Sequence, residues 1–166
     1  MISKKIQDAF NGQLNAETYS AYLYWSMSAA LENMGLSGFA HWMRVQAQEE
    51  LGHAKRFYDH IVERGGVVKM AAIPAPPTEW QDVSAMMADT LAHEKKVTSS
   101  IHNLMELALA EKDHAAAIFL QWFVSEQVEE EANVQKIIQQ LQMAGQSKGA
   151  LLMLDHRMAS RKAGSD

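Results

Sequence analysis

Four long stretches of this chain repeat apolar residues every three or four positions, and each stripe carries a glutamate near its middle. From about Ser3 to Asn33 the stripe reads Phe10, Leu14, Glu17, Ala21, Tyr24, Ser28 and Leu31. After Ser37, and up to Gly65-Gly66, it reads Phe39, Met43, Ala47, Glu50, Ala54, Phe57 and Ile61, with His53 beside it. From about Val83 to Glu111 it reads Met87, Leu91, Glu94, Val97, Ile101, Leu104 and Ala108. A break near Lys112-Asp113 leads to Ala116, Phe119, Phe123, Gln127, Glu130, Val134, Ile137 and Leu141, before Gly145. That period is one face of an α-helix. Ser3 is placed to cap the first helix and Gly35 to stop it.

The spacing therefore predicts four helices, each roughly 40 Å long at 1.5 Å per residue. Between the second and third, residues 67–81 contain Pro74, Pro76 and Pro77. A connection this long and proline-rich can run the length of a bundle. The fold class expected is all-α: a four-helix bundle over about 3–144, with a long crossover between helices 2 and 3. Leu151, Leu152, Leu154 and Met158 predict a short fifth helix over about 147–162. The chain reads as one domain, 1–166, ending in a frayed polar tail, Gly164-Ser165-Asp166.

Composition narrows the function classes. The net charge is −5 and Lys/Arg blocks are absent, which argues against nucleic acid and anionic membrane as partners. With no cysteine, disulfides, thiolate metal sites and a Cys nucleophile are excluded. No segment has the roughly 20 apolar residues of a membrane span. Met1-Ile2-Ser3-Lys4-Lys5 leads into a polar helix rather than a secretory signal, so a cytoplasmic protein is expected.

An isolated carboxylate buried on an apolar face costs several kcal/mol or takes up a proton. One misfit could be an ion pair, but four near mid-helix, with few Lys or Arg on the same stripes, point to bound cations. Within Gln48-Glu49-Glu50-Leu51-Gly52-His53, Glu50 and His53 share a helix face at i and i+3. Carboxylate oxygen with imidazole suits iron or manganese and accommodates zinc. The fourth helix offers Gln127-x-x-Glu130, with Gln in place of Glu and Glu in place of His. His41, His60, His93, His102, His114 and His156 lack such partners and read as surface or packing residues, and the eleven methionines mostly as core filler.

Glu17, Glu49-Glu50-x-x-His53, Glu94, Glu126-Gln127-x-Glu129-Glu130 and the short fifth helix together resemble the prokaryotic non-haem ferritins over essentially the whole chain. The resemblance implies a ferritin-like bundle whose Glu17, Glu50 and His53 hold one iron. Bridging Glu50, with Glu94 and Glu130, would hold a second, and Gln127 would position oxygen or water. Glu49, Glu126 and Glu129, with Glu130, would form a third iron site, while Glu131 is expected outside. Tyr24 is either an electron donor to the site or a core tyrosine with a bonded hydroxyl; Trp122 is a weaker donor candidate. Bacterioferritins use a haem-ligating Met shortly after the first Glu and a second Glu-x-x-His. Here Leu51-Gly52 and Glu130 stand instead, so no haem is expected. Rubrerythrins add a Cys-ligated iron domain, which is impossible here. Mini-ferritins lack the fifth helix and place iron between subunits.

The function so implied is iron storage and detoxification. Ferrous iron would be oxidised by oxygen or peroxide at an intra-subunit di-iron site, and the ferric mineral kept in a homo-oligomeric shell of twenty-four subunits. The alternative is a non-storage di-iron enzyme that scavenges peroxide.

Overall fold

A computed structural model describes residues 1–162 of the chain; the expected frayed tail lies outside the described residues. Five helices follow in order: α1 (Lys4–Asn33), α2 (Ser37–Glu63), α3 (Val83–Ala110), α4 (His114–Ala144) and α5 (Lys148–Met158). No strand occurs among the described residues, so the all-α expectation holds.

Local chemistry sets the boundaries. The Ser3 hydroxyl accepts from the Ile6 N–H at 3.3 Å, Asp82 from Ala85 at 2.8 Å, Asp113 from Ala116 at 3.0 Å and Ser147 from Ala150 at 3.2 Å. Each satisfies one of the N–H groups that a helix start leaves open. Gly35 ends α1 in the left-handed region, φ +75°, where a Cβ is disfavoured. Helix α2 is the exception, because Leu36 at its N-cap supplies no side-chain bond. Asp155, far along the chain in α5, provides it by accepting from the Phe39 N–H at 2.9 Å.

The short links 34–36 and 111–113 make α1/α2 and α3/α4 antiparallel pairs. The proline-rich connection is pinned along α1 in ascending order. The Val67 N–H donates to Gln7 Oε1 (2.8 Å), the Lys69 N–H to Asn11 Oδ1 (2.6 Å) and Asn15 to the Ala72 carbonyl (3.4 Å). The Ser26 hydroxyl donates to the Pro77 carbonyl. The connection thus travels the bundle's length beside α1, and α3 starts at the end where α1 finishes.

The stripes face inward as the period predicts, with only Leu91 and Phe119 left half-exposed. Their apolar residues form two clusters rather than one. The first holds Tyr24, Met27, Leu31, Phe39, Met43, Met87 and Val134; the second holds Phe10, Leu14, Phe57, Ile61, Ile101 and Phe123. Each large side chain so buried contributes about 1.5–3 kcal/mol. Glu17, Glu50, Glu94 and Glu130 occupy the level between the two clusters, one from each long helix.

Helix α5 is shorter than expected. It ends at Met158, not near Lys162, although Ala159-Ser160-Arg161-Lys162 contains neither Gly nor Pro. Past Met158 the chain tightens into i to i−3 bonds, Ser160 N–H to the Arg157 carbonyl and Arg161 N–H to the Met158 carbonyl, each at 3.2 Å, and the Arg161 carbonyl accepts from His41 Nε2 at 2.8 Å.

Candidate metal centre

The inward faces of four helices deliver the site. Glu17, Glu50, Glu94, Gln127 and Glu130 are each at most 3% exposed, and His53 is 5% exposed. Glu17, Glu50 and His53 bring one ligand atom apiece within 4.8 Å of one another. His53 Nδ1 lies 3.3 Å from Glu50 Oε2, which fixes the ring on its own helix. A second trio with the same 4.8 Å spread joins His53, Glu126 and Glu130. Its Glu126 oxygen stands 3.9 Å from His53 Nε2.

Glu94 is held on both oxygens. The Tyr24 hydroxyl donates to Oε1, and Gln127 Nε2 donates to Oε2 at 3.1 Å. Gln127 also reaches the Glu94 carbonyl and Thr98 Oγ1, each at 3.3 Å. The remaining acidic residues fall at the rim. Glu49 pairs with Arg161, Glu129 is exposed, and Glu131 is half-buried. Glu131, expected outside, is drawn in by the Thr98 hydroxyl, which donates to it at 2.6 Å.

Two glutamines were not singled out by the sequence pattern. Gln13 donates to Glu17 Oε1 at 2.9 Å. Gln46 donates to Glu130 Oε2 at 2.8 Å and to Glu50 Oε1 at 3.4 Å. Both stand four residues before a site glutamate, on the same helical face. That Gln-x-x-x-Glu spacing, present in α1 and α2, was the available signal. Arg161 had none.

Electrostatics show a cluster short of positive charge. Burial is the largest cause in every case. It raises Glu17 well above the usual carboxylate range, with the Glu50 charge adding to it. It raises Glu50 likewise, helped by Glu94 and Glu130, and it raises Glu94 against the bonds from Tyr24 and Gln127. It pushes Glu130 up to about 8, with Glu94 adding to the effect. The Tyr24 phenol is also raised, first by burial and then by the Glu94 charge. Glu17 Oε2 is buried with no hydrogen-bond partner. An acceptor lone pair facing carboxylate and imidazole is satisfied by a cation. The donor set therefore fits a hard or borderline divalent metal.

Other histidines behave as packing groups. His60 stacks on Phe119 with centroids 4.1 Å apart. His93 shares a 2.8 Å hydrogen bond with Ser20, and burial lowers its pKa to about 4. Trp122 packs edge-on to His53 at 5.4 Å, with Arg56 above its ring at 3.7 Å.

Residues 7–144 match the ferritin family, described as a ferritin-like domain. The chain belongs to the ferritin family. Among curated relatives, a bacterial non-heme ferritin of Bacteroides fragilis (strain 638R) is 43% identical over 97% of this chain and 100% of its own length. One from Staphylococcus saprophyticus is 40% identical, over 97% and 96% respectively. Among solved structures, an open-pore ferritin from the hyperthermophilic archaeon Archaeoglobus fulgidus superposes with a TM-score of 0.97. It is 49% identical, over 98% of this chain and 100% of that one. An engineered closed form of the Archaeoglobus fulgidus ferritin gives 0.97 at 48% identity, over 99% and 100%. Ferritins store iron, and the buried carboxylate–imidazole cluster of this ferritin offers a metal-binding group of the matching chemistry. No helix among its described residues is long and apolar enough to cross a membrane.

Proposed function

We propose that this ferritin oxidises ferrous iron at the centre between its two apolar clusters and keeps the ferric product inside a closed homo-oligomeric shell, of twenty-four subunits by likeness to its family. The single observation that carries the proposal is the unpartnered, buried Glu17 Oε2 beside Glu50 and His53. Ferrous iron is the substrate and then the cargo. Glu17, Glu50 and His53 form the first landing site; bridging Glu50, with Glu94 and Glu130, forms the second, and Glu126 lies within reach of His53 and Glu130.

The chain's own groups do three things. Carboxylates that are protonated without metal release their protons as Fe(II) enters, so iron uptake acidifies the medium. Hard anionic oxygens stabilise Fe(III) over Fe(II), which favours loss of one electron from each ion to oxygen or peroxide. Gln13, Gln46 and Gln127 hold the carboxylates in place through the change.

The test is iron retained per chain after aerobic addition of ferrous salt and passage through a sizing column. Storage is supported if iron far exceeds what one bundle site can hold and elutes with a large assembly. A small oligomer carrying only about two irons per chain would instead point to the non-storage, peroxide-scavenging di-iron enzyme, and its electron donor would then be sought.

A further inference from the structure

The segment after α5 turns back onto α2 and places one guanidinium against the rim of the metal centre. Arg161 Nη1 donates to Gln46 Oε1 at 2.7 Å, and Nη2 donates to Glu49 Oε2. The group is backed by the Trp42 ring, 4.2 Å from its centroid, and the Arg161 carbonyl is tied to His41 at 2.8 Å. The Arg161 and Glu49 side chains are only 18% and 20% exposed. This is a built contact with four partners on one face of α2, at residues 41, 42, 46 and 49.

Two consequences follow from the chemistry of the donors. Arginine offers only N–H groups, so the amide oxygen of Gln46 must face it. The NH2 of Gln46 is thereby turned toward Glu130 and Glu50, which accept from it. Glu49, meanwhile, already has a cation. A metal ion that uses Glu49 as a ligand meets a partly buried guanidinium already bonded to Oε2, whose like charge opposes it and whose charge-assisted hydrogen bond it must share or break.

We propose that Arg161 is a positioning residue of the metal centre: it occupies Glu49 in place of a metal ion and so weakens binding of any additional cation at the Glu49 side of the site. The inference rests on the metal-centre assignment above. The chain then carries its own competitor for the rim, which biases incoming cations toward Glu17, Glu50, His53 and Glu130. Displacing the post-α5 segment would open the rim to a further ion.

The experiment is a zinc titration of the assembled, full-length protein by calorimetry, with bound zinc counted after equilibrium dialysis. Zinc avoids oxidation, so the readout is stoichiometry and affinity rather than turnover. Arg161→Ala is expected to tighten binding of the additional ion by about ten- to a hundredfold, the range of one hydrogen bond to a charged group. Arg161→Lys, which restores a point charge beside Glu49, returns it toward wild type. Adding Glu49→Gln to Arg161→Ala abolishes the gain, whereas Glu49→Gln alone in the wild-type background, where the guanidinium already holds Glu49, lowers affinity for the additional ion by less than about tenfold. That last comparison does not require the Arg161 variants to assemble. An additional-ion affinity within about twofold of wild type in Arg161→Ala, against that expectation, overturns the proposal, as does a large loss from Glu49→Gln alone. If the first ions bind normally in either case, only this inference falls. A wild-type protein that takes up no zinc at all overturns both it and the centre it rests on.

Discussion

The Tyr24 hydroxyl donates to Glu94 from a fully buried position, joining α1 to α3 at the level of the metal centre. Its ring meets His93 edge-on at 5.8 Å. The tyrosine is thus a core residue with a bonded hydroxyl, and it also touches a site carboxylate. Tyr24→Phe leaves Glu94 Oε1 without this donor in a buried setting, at a cost of about 1–3 kcal/mol. The expected outcome is a lower urea midpoint for the metal-free protein, with zinc still bound. Stopped-flow oxidation of Fe(II) then decides the redox role. A rate and time course identical to wild type would leave Tyr24 as an orienting residue only.

Removing a carboxylate at the second position is expected to damage oxidation more than assembly. Glu94 and Glu130 lie between the two apolar clusters, so truncating them leaves both clusters intact. Glu94→Ala and Glu130→Ala should each slow aerobic Fe(II) oxidation by about 10–100-fold or more, and Gln46→Ala should weaken metal binding by about 10-fold through lost orientation. Absorbance of the ferric product and light scattering of the assembly check the two halves separately. Unchanged kinetics in both glutamate variants would sink the assignment of the centre.

Much of this was legible in the chain. The stripes showed which faces turn inward, because burial in a helix repeats every 3.6 residues. Ser3 and the prolines marked the first start and the crossover, because caps and proline act locally. Glu17, Glu50, Glu94 and Glu130 stood out because each was a carboxylate on an apolar stripe, and His53 joined Glu50 through its i, i+3 spacing; that Glu17 shares an ion with that pair was implied by the family resemblance alone. What was hidden depends on contacts far apart in sequence. Arg161 finds Gln46 and Glu49 across 115 and 112 residues, and nothing in Ala159-Ser160-Arg161-Lys162 signals a helix end. The capping of α2 by Asp155 was hidden for the same reason, since Leu36 gives no local sign of where the bond comes from.

The metal-free protein should lose stability as pH rises. Glu130 titrates near 8 in the fold, against about 4.5 when unfolded, and Glu17, Glu50 and Glu94 are raised in the same direction. Between those values the native state binds more protons than the unfolded one, so unfolding free energy falls with increasing pH. The contribution is fully present below about pH 4.5 and is lost through about pH 8. The denaturation midpoint of metal-free protein is therefore expected to drop from pH 6 to pH 8.5, and Glu130→Gln should flatten that slope. Saturating zinc should reverse it, because metal replaces protons on the same oxygens and binds more tightly as they leave. A midpoint that rises with pH in the metal-free wild type would contradict protonated carboxylates at the centre.

Helix α5 is docked by a contact that tolerates no extra atom. A Cβ on Gly38 would lie 1.7 Å from the Asp155 carbonyl oxygen and 2.5 Å from its carbon. Backbone cannot yield as a flexible side chain can, so Gly38→Ala must separate α5 from the start of α2. Doing so also removes Asp155 from the Phe39 N–H, the cap that Leu36 does not replace. Leu154 and Met158 would leave the first apolar cluster with it, and Arg161 would be carried away from Gln46. Asp155→Asn keeps an acceptor at the cap and should cost little; Asp155→Ala should cost about 1 kcal/mol. Gly38→Ala should cost more and expose the first turn of α5 to protease. Limited proteolysis followed by mass spectrometry would show cleavage at Lys148 in Gly38→Ala, and not in wild type or Asp155→Asn. Equal protection of Lys148 in all three proteins would mean that α5 is held by something other than this contact.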